Sequence, residues 1–204
     1  IQFGDLSAVL MQNSPFWGQW IRTPELSVAL LDEWDTKIEK LAHITAEENL
    51  TSLAGVPTWT LLLLKRILEI KGKSTIKEVW PNLELYINGG VSFFPYRDQF
   101  EKIIGCKINY LEIYNASEGF IAAQVDPDDD GMLLFTEHGI FYEFMPVEEY
   151  GNEKPVTVGL KDVIAGKNYA LVISTTGGLW RYLIGDTIQF TSLNPYKIKI
   201  TGRL

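Results

Sequence analysis

Residues 114–137 read YNASEGFIAAQVDPDDDGMLLFTE, and the fold of the middle of the chain turns on the acidic run inside them. Asp126, Asp128, Asp130, Gly131 and Glu137 match the calcium-loop pattern D-x-D-x-D-G-x5-E at every fixed position, with Leu133 as the usual apolar residue. Such a loop needs an amphipathic helix on each side. Here residues 120–125 lead in and residues 132–136 and 140–145 lead out, and all three are strand-like in composition. Pairing of 132–136 with 140–145 across Glu137-His138-Gly139 would point Glu137 away from a curled loop. The run is therefore expected to be a solvated, Asp-rich turn between strands.

From there the chain divides in texture. Toward the C-terminus, short apolar segments at 120–125, 132–136, 140–145, 169–175, 187–191 and 198–201 alternate with turn residues, which predicts a β-rich, barrel-like or meandering subdomain over 119–204. Toward the N-terminus, Thr23-Pro24-Glu25 has the chemistry of a helix start. Leu26, Leu30, Trp34, Ile38 and Leu41 then recur at helical spacing to about Ala42. Thr45 and Glu48 have capping-box spacing for a shorter helix. Gly55-Val56-Pro57-Thr58 breaks the chain before a buried helix at 59–70. A strand at 83–88, a Gly89-Gly90 turn, a helix at 96–104 and a strand at 108–114 follow. Strands alternating with helices predict a parallel-type α/β subdomain over 1–118.

Composition bounds the function. The 204 residues are 46% hydrophobic and 22% charged, as expected of a globular chain. The net charge is −8, and the richest basic stretch, 65–77, has the pattern of the wet face and end of a helix, so no nucleic-acid partner is expected. The apolar run 61–64 ends at Lys65-Arg66, too short to cross a bilayer, and no targeting signal is visible. One cysteine, Cys106, excludes an internal disulfide framework and fits a reducing cytosol. His43 and His138 have no Cys or His at ligand spacing, which argues against zinc. The chain begins at Ile1 and ends at Gly202-Arg203-Leu204, so a piece of a longer protein is expected.

Three short pieces carry the chemistry. Gly89-Gly90-Val91 follows a strand and bares backbone at a carboxyl end of the sheet, where α/β proteins bind ligands. Tyr114-Asn115-Ala116-Ser117-Glu118 follows the next strand, with an aromatic ring, a hydroxyl and a carboxylate in five residues. Tyr182-Leu183-Ile184-Gly185-Asp186 places an acid after a tight turn, suited to bind a diol. An aromatic plane, a hydroxyl, a metal-binding carboxylate and a diol acceptor are what an adenine nucleotide with magnesium requires. Singly, each has an ordinary structural explanation: a turn, a packed ring, a hairpin. The loop Ser174-Thr175-Thr176-Gly177-Gly178 suggests a phosphate cradle, but no Lys-[Ser/Thr] follows it.

In order and spacing, YNASEG, STTGGLWRYLIGD and the segment from Asn194-Pro195 to Thr201-Gly202-Arg203 resemble the acyl-acid amido synthetases named for plant auxin-responsive genes. That family belongs to the adenylate-forming superfamily with firefly luciferase and acyl-CoA ligases. GVPTWTLLLL resembles its acyl-pocket strand and helix. The resemblance implies that Tyr114 stacks on adenine, that Gly89, Gly90 and Val91 line its edge, and that Ser117 contacts the α-phosphate. It implies that Glu118 coordinates Mg2+, that Asp186 binds the ribose hydroxyls, and that Tyr182 is the aromatic of the same motif. Arg203 would stand at the hinge to a small C-terminal domain, and Val56, Thr58 and Trp59 would face the acid. Asn115 replaces the usual glycine and tolerates left-handed geometry; Leu183 and Ile184 are blander than the family's polar residues.

The superfamily's β,γ-phosphate loop would lie before Ile1 and its mobile domain after Leu204, so the fragment alone is expected to be inactive. The implied reaction uses ATP to adenylate a small carboxylic acid and passes the acyl group to an amine such as an amino acid, releasing AMP. No protein nucleophile is required. A coenzyme A acceptor and a non-catalytic nucleotide-binding or scaffold module stay open as alternatives, and the oligomeric state is not set by the sequence.

Overall fold

One helix is expected from Leu26 to about Ala42. The computed structural model, which describes residue 9 and residues 11–204, makes two. Helix α1 (Leu26–Ala29) stops after one turn and α2 (Trp34–Thr45) restarts. Glu33 decides the break. It is extended, and its carboxylate accepts from the Asp35 and Thr36 amides at 3.1 and 2.6 Å, satisfying donors that a continuous helix would have given to carbonyls. The residue before α1 is Glu25 rather than Thr23, and the Thr23–Pro24 peptide is cis.

Nor does Thr45 open a helix with Glu48. Thr45 closes α2, its hydroxyl donating to the Leu41 carbonyl at 2.7 Å, while Glu48 accepts from the Thr23 hydroxyl at 2.9 Å. The capping box forms instead at Thr75 and Glu78, around the single turn Ile76–Glu78.

Next come β1 (Ser52–Gly55), α3 (Pro57–Lys71), β2 (Leu85–Gly89) and α4 (Arg97–Ile104). The helices expected at 59–70 and 96–104 and the strand at 83–88 lie within two residues of these limits. Strand β1, the tetrapeptide SLAG, is too short and bland to signal itself by pattern. Pro57 stands in the first turn of α3, where its missing N–H costs nothing. β1 and β2 run parallel, with Gly55 beside Asn88, as the βαβ order predicts. The core of this part is aromatic. Trp80 and Tyr86 are fully buried, Tyr86 stacks on Phe100 at 4.6 Å, and Phe93 stacks on Tyr110 at 4.9 Å.

The chain forms two compact units, residues 1–110 and 111–204. The division lies inside β3 (Asn109–Ala116), whereas the seam expected at 118/119 falls in the turn of a hairpin. The second unit continues with β4 (Gly119–Gln124), β5 (Met132–Leu134), β6 (Ile140–Pro146), β7 (Asn168–Thr175), β8 (Tyr182–Leu193) and β9 (Tyr196–Arg203). Its strands are ordered β3-β4-β5-β9-β8-β7-β6, with antiparallel neighbours throughout. Tyr114 of β3, Ile121 of β4, Phe144 of β6, Leu171 of β7 and Phe190 of β8 share one buried cluster. Strands from both ends of the order meet in one core, so this sheet curls around it.

One expected pairing does not form. β5 pairs with β4 and β9, and β6 pairs with β7 along its whole length from Ile140↔Thr175 to Pro146↔Tyr169. β4 and β9 take both edges of β5, which leaves none for β6, and β6 finds its partner in β7. The acidic run still joins two strands, β4 and β5. No helix among the described residues is long and apolar enough to cross a membrane.

Candidate functional site

Strands β3 and β4 form a hairpin whose two-residue turn is Ser117-Glu118. The turn exposes the Ser117 side chain and leaves Glu118 half-buried; no hydrogen bond or ion pair engages the Glu118 carboxylate among the described residues. Asn115 lies in β3, at a shift of register between Tyr114 and Asn115. It is extended rather than left-handed, because the turn is made by the two residues after Ala116.

Tyr114 points inward. Its ring is 4% exposed, and its hydroxyl donates to Asp186 Oδ2 at 2.7 Å. Asp186 does not follow a tight turn, as its sequence suggests; it lies within β8. Leu183 faces Val172 and Thr187 faces Ala170, so three residues of β8 oppose Leu171 alone. The bulge is built on Gly185, at φ +94°, a conformation side chains resist. It leaves the Asp186 side chain 21% exposed beside a buried Ile184.

Arg203, the last residue of β9, is the register partner of Asp186, and its Nε lies 3.8 Å from Asp186 Oδ1. Burial, foremost, pushes the Tyr114 phenol pKa well above its ordinary value. The hydrogen bond to Asp186 and the negative charges of Asp186 and Glu118 push the same way, against Arg203. Tyr114, Glu118, Asp186 and Arg203 thus gather around one phenol hydroxyl, all within the second unit. Tyr182 opens β8 with its ring exposed.

The two motifs set aside in the sequence have local explanations. In the acidic turn, Asp126 Oδ1 accepts from the Asp128 amide at 3.0 Å and Asp129 Oδ1 from the Gly131 amide at 2.7 Å. Asp129 is also paired with Lys197. Among the described residues no group of three or more His, Cys, Asp or Glu side chains converges on a metal position. In the Ser/Thr/Gly loop, Ser174 Oγ accepts from the Arg181 amide at 3.0 Å and Thr175 Oγ1 from the Leu179 amide at 3.4 Å, so those hydroxyls serve the loop itself. Arg181, which the sequence did not single out, is the one non-glycine residue at positive φ among those described. Its guanidinium bonds Glu143 at 3.0 Å and Thr157 at 3.2 Å. An arginine after Gly-Gly-Leu-Trp carries no sequence signal for that geometry.

In the first unit, β1 and β2 end side by side at Gly55 and Gly89, the carboxyl ends of a parallel pair. Gly90 has φ +82°, and a Cβ there would lie 3.3 Å from Val56 Cγ2. Val56 precedes α3, so the bare Gly-Gly backbone and the helix start are brought together. Val91, Thr58 and Trp59 are exposed. The Trp59 ring lies 4.2 Å from that of Trp34, which gives it a packing partner inside the unit.

Residues 1–107 match the model of the GH3 family N-terminal domain, and residues 133–203 that of the GH3 family central domain. The first match falls within the first compact unit and the second within the second. The chain is 31% identical over 122 residues to the indole-3-acetic acid-amido synthetase GH3.3 of Arabidopsis thaliana, covering 57% of this chain and 20% of that protein. It is 32% identical over 120 residues to the jasmonoyl-L-amino acid synthetase JAR4 of Nicotiana attenuata, covering 56% and 21%. A solved GH3.15 acyl acid amido synthetase superposes with a TM-score of 0.69 at 15% identity, over 89% of this chain and 42% of that one, a likeness of fold. The chain spans about a fifth of the length of these curated relatives.

Proposed function

We propose, since this chain belongs to the GH3 family, that the whole protein uses ATP to activate a small carboxylic acid and joins it to an amino acid as an amide. The acid's carboxylate attacks the α-phosphorus of ATP, giving an acyl-adenylate and pyrophosphate. The amine then attacks the activated carbonyl, loses a proton and expels AMP. The observation that carries this reading is the convergence of Tyr114, Glu118, Asp186 and Arg203 in the second unit.

In that site Asp186 would accept from the ribose hydroxyls, Ser117 at the exposed turn would donate to the α-phosphate, and the Tyr114 ring would border the adenine. Tyr182 would flank the same motif, and Arg203 would adjoin the hinge. In the first unit, Gly89, Gly90 and Val91 would offer bare backbone to the base, and Val56, Thr58 and Trp59 would face the acid. Magnesium fits the donor chemistry at Glu118, a carboxylate with no ion pair among the described residues; phosphate and water oxygens would complete the ion's shell. Its contribution when bound is to offset negative charge on the phosphates.

ATP–pyrophosphate exchange by the whole protein, across a panel of carboxylic acids, tests the first step. Exchange is expected with at least one acid, and Glu118→Ala lowers it by about a hundredfold, in the range for loss of a charge-stabilising group. Full exchange in that variant removes Glu118 from its role. Product analysis with mixed amino acids and with coenzyme A tests the second step. An amide is expected, and a thioester in its place refutes the amine acceptor.

A further inference from the structure

We propose that Tyr114 is a positioning residue, whose buried hydroxyl holds the Asp186 carboxylate ready for a vicinal diol and so sets the preference for ribonucleotide over deoxyribonucleotide. The inference rests on the nucleotide-binding reading above and deepens it. An ionised carboxylate offers about four lone-pair sites on two oxygens. Tyr114 occupies one on Oδ2 at 2.7 Å. Arg203 lies 3.8 Å from Oδ1, beyond hydrogen-bond distance. Tyr114 is thus the one hydrogen-bond donor to this carboxylate among the described residues, and each oxygen keeps a free site for one of two neighbouring hydroxyls.

The asymmetry of mobility gives the contact its purpose. Asp186 stands on a glycine bulge and stays partly exposed, so on its own its carboxylate would rotate. The Tyr114 ring is locked in the core with Ile121, Phe144 and Phe190, and the Arg203 side chain is 76% exposed and free to swing. Only the phenol is rigid enough to fix the carboxylate before the ligand arrives, and pre-ordering of that kind is gained as affinity. A nucleotide lacking the 2′- or 3′-hydroxyl would leave one oxygen unused, so the discrimination depends on both oxygens being held in place.

Equilibrium titration of the whole protein with ATP, 2′-deoxy-ATP and 3′-deoxy-ATP tests this. Wild type is expected to bind ATP more tightly than either deoxynucleotide. Tyr114→Phe, which keeps the buried ring, is expected to weaken ATP about tenfold, within the range for a hydrogen bond to a charged group, and to narrow the ATP-to-deoxy ratio. A loss equal for all three nucleotides, or an unchanged ratio, overturns the positioning role and leaves the proposed function standing. No binding of ATP by wild type overturns that function together with the inference. A second variant keeps the test alive if the Phe protein does not fold. 4-Fluorophenylalanine at 114 fills the space of the hydroxyl but cannot donate to Asp186, and it should narrow the ATP-to-deoxy ratio as Phe does. An unchanged ratio in that folded variant refutes the proposal.

Discussion

The two units bury polar aromatic groups for different ends. In the first, the Trp80 indole donates to the Thr45 carbonyl at 2.8 Å and the Tyr86 hydroxyl to the Gly55 carbonyl at 2.9 Å. Both partners are backbone, and both bonds join segments that the core must hold together. In the second, the buried Tyr114 hydroxyl goes to the carboxylate of Asp186, a side chain that solvent still reaches. A core that spends its donors on backbone is secured, whereas a core that lends one to an accessible carboxylate is aimed. Under the proposed function this difference would put the ribose at the second unit, and it predicts which substitutions damage the fold and which damage the site.

The largest expected effect is Trp80→Ala. It removes a fully buried ring at a cost of about 3–5 kcal/mol, while the Thr45 carbonyl keeps its second donor, the Glu48 amide at 3.2 Å. Chemical denaturation checks it, and a loss below about 1 kcal/mol breaks the claim that this core is held by Trp80.

Two glycines sharpen the contrast at intermediate cost. Gly105 has φ +77°, and a Cβ there would meet Thr75 carbons at 2.6 Å. Gly105→Ala therefore adds overpacking of about 1–3 kcal/mol to left-handed strain of about 1–2 kcal/mol, while ATP affinity in the folded protein holds. At Gly185 the nearest atom is Arg203 Nε, 3.7 Å away, so Gly185→Ala costs the strain alone, about 1–2 kcal/mol. It also twists the bulge that carries Asp186, and ATP binding weakens by about tenfold, some 1.4 kcal/mol. Melting curves and ATP titrations of both variants decide the matter, and the opposite assignment of losses refutes the division.

The smallest effect lies in the acidic turn. Lys197 beside Asp129, helped by the Gly131 amide, holds the Asp129 carboxyl below the ordinary range. A carboxyl depressed in the folded state contributes stability above its unfolded pKa, about 3.9, and loses it as pH falls through the folded value. Asp129→Asn is thus expected to lower Tm slightly at neutral pH and to converge with wild type in strong acid. A gap of equal size at both pH values contradicts the pairing.

Much of the fold was legible because its signals are local. Pro57 and the leucine run after it mark α3, and the strand-like residues on both sides of the Asp run exclude a helix–loop–helix. The misjudged pieces were decided by competition. Periodicity at Leu26, Leu30 and Trp34 favours one helix, but Glu33 captures two amides and starts a second. Nearness in sequence favours β5 with β6, but β9 takes the edge of β5 that β6 would need. At the proposed site, motif order and spacing single out Tyr114, Glu118 and Asp186, but a Gly-Asp pair looks alike in a turn and in a bulge, so spacing alone places Asp186 in a turn. The strained Arg181 and its bond to Glu143 gave no signal at all, since nothing in an arginine's neighbours announces positive φ.

The sequence by itself determined most of the helices and strands and the motifs by which the chain resembles its family, because those depend on residues within a few positions of one another. Only the tertiary structure decided where the Tyr114 hydroxyl goes. Its partner lies 72 residues away, and the bond exists because the sheet of the second unit curls far enough for β3 to reach β8, an outcome of long-range strand pairing that no local pattern records.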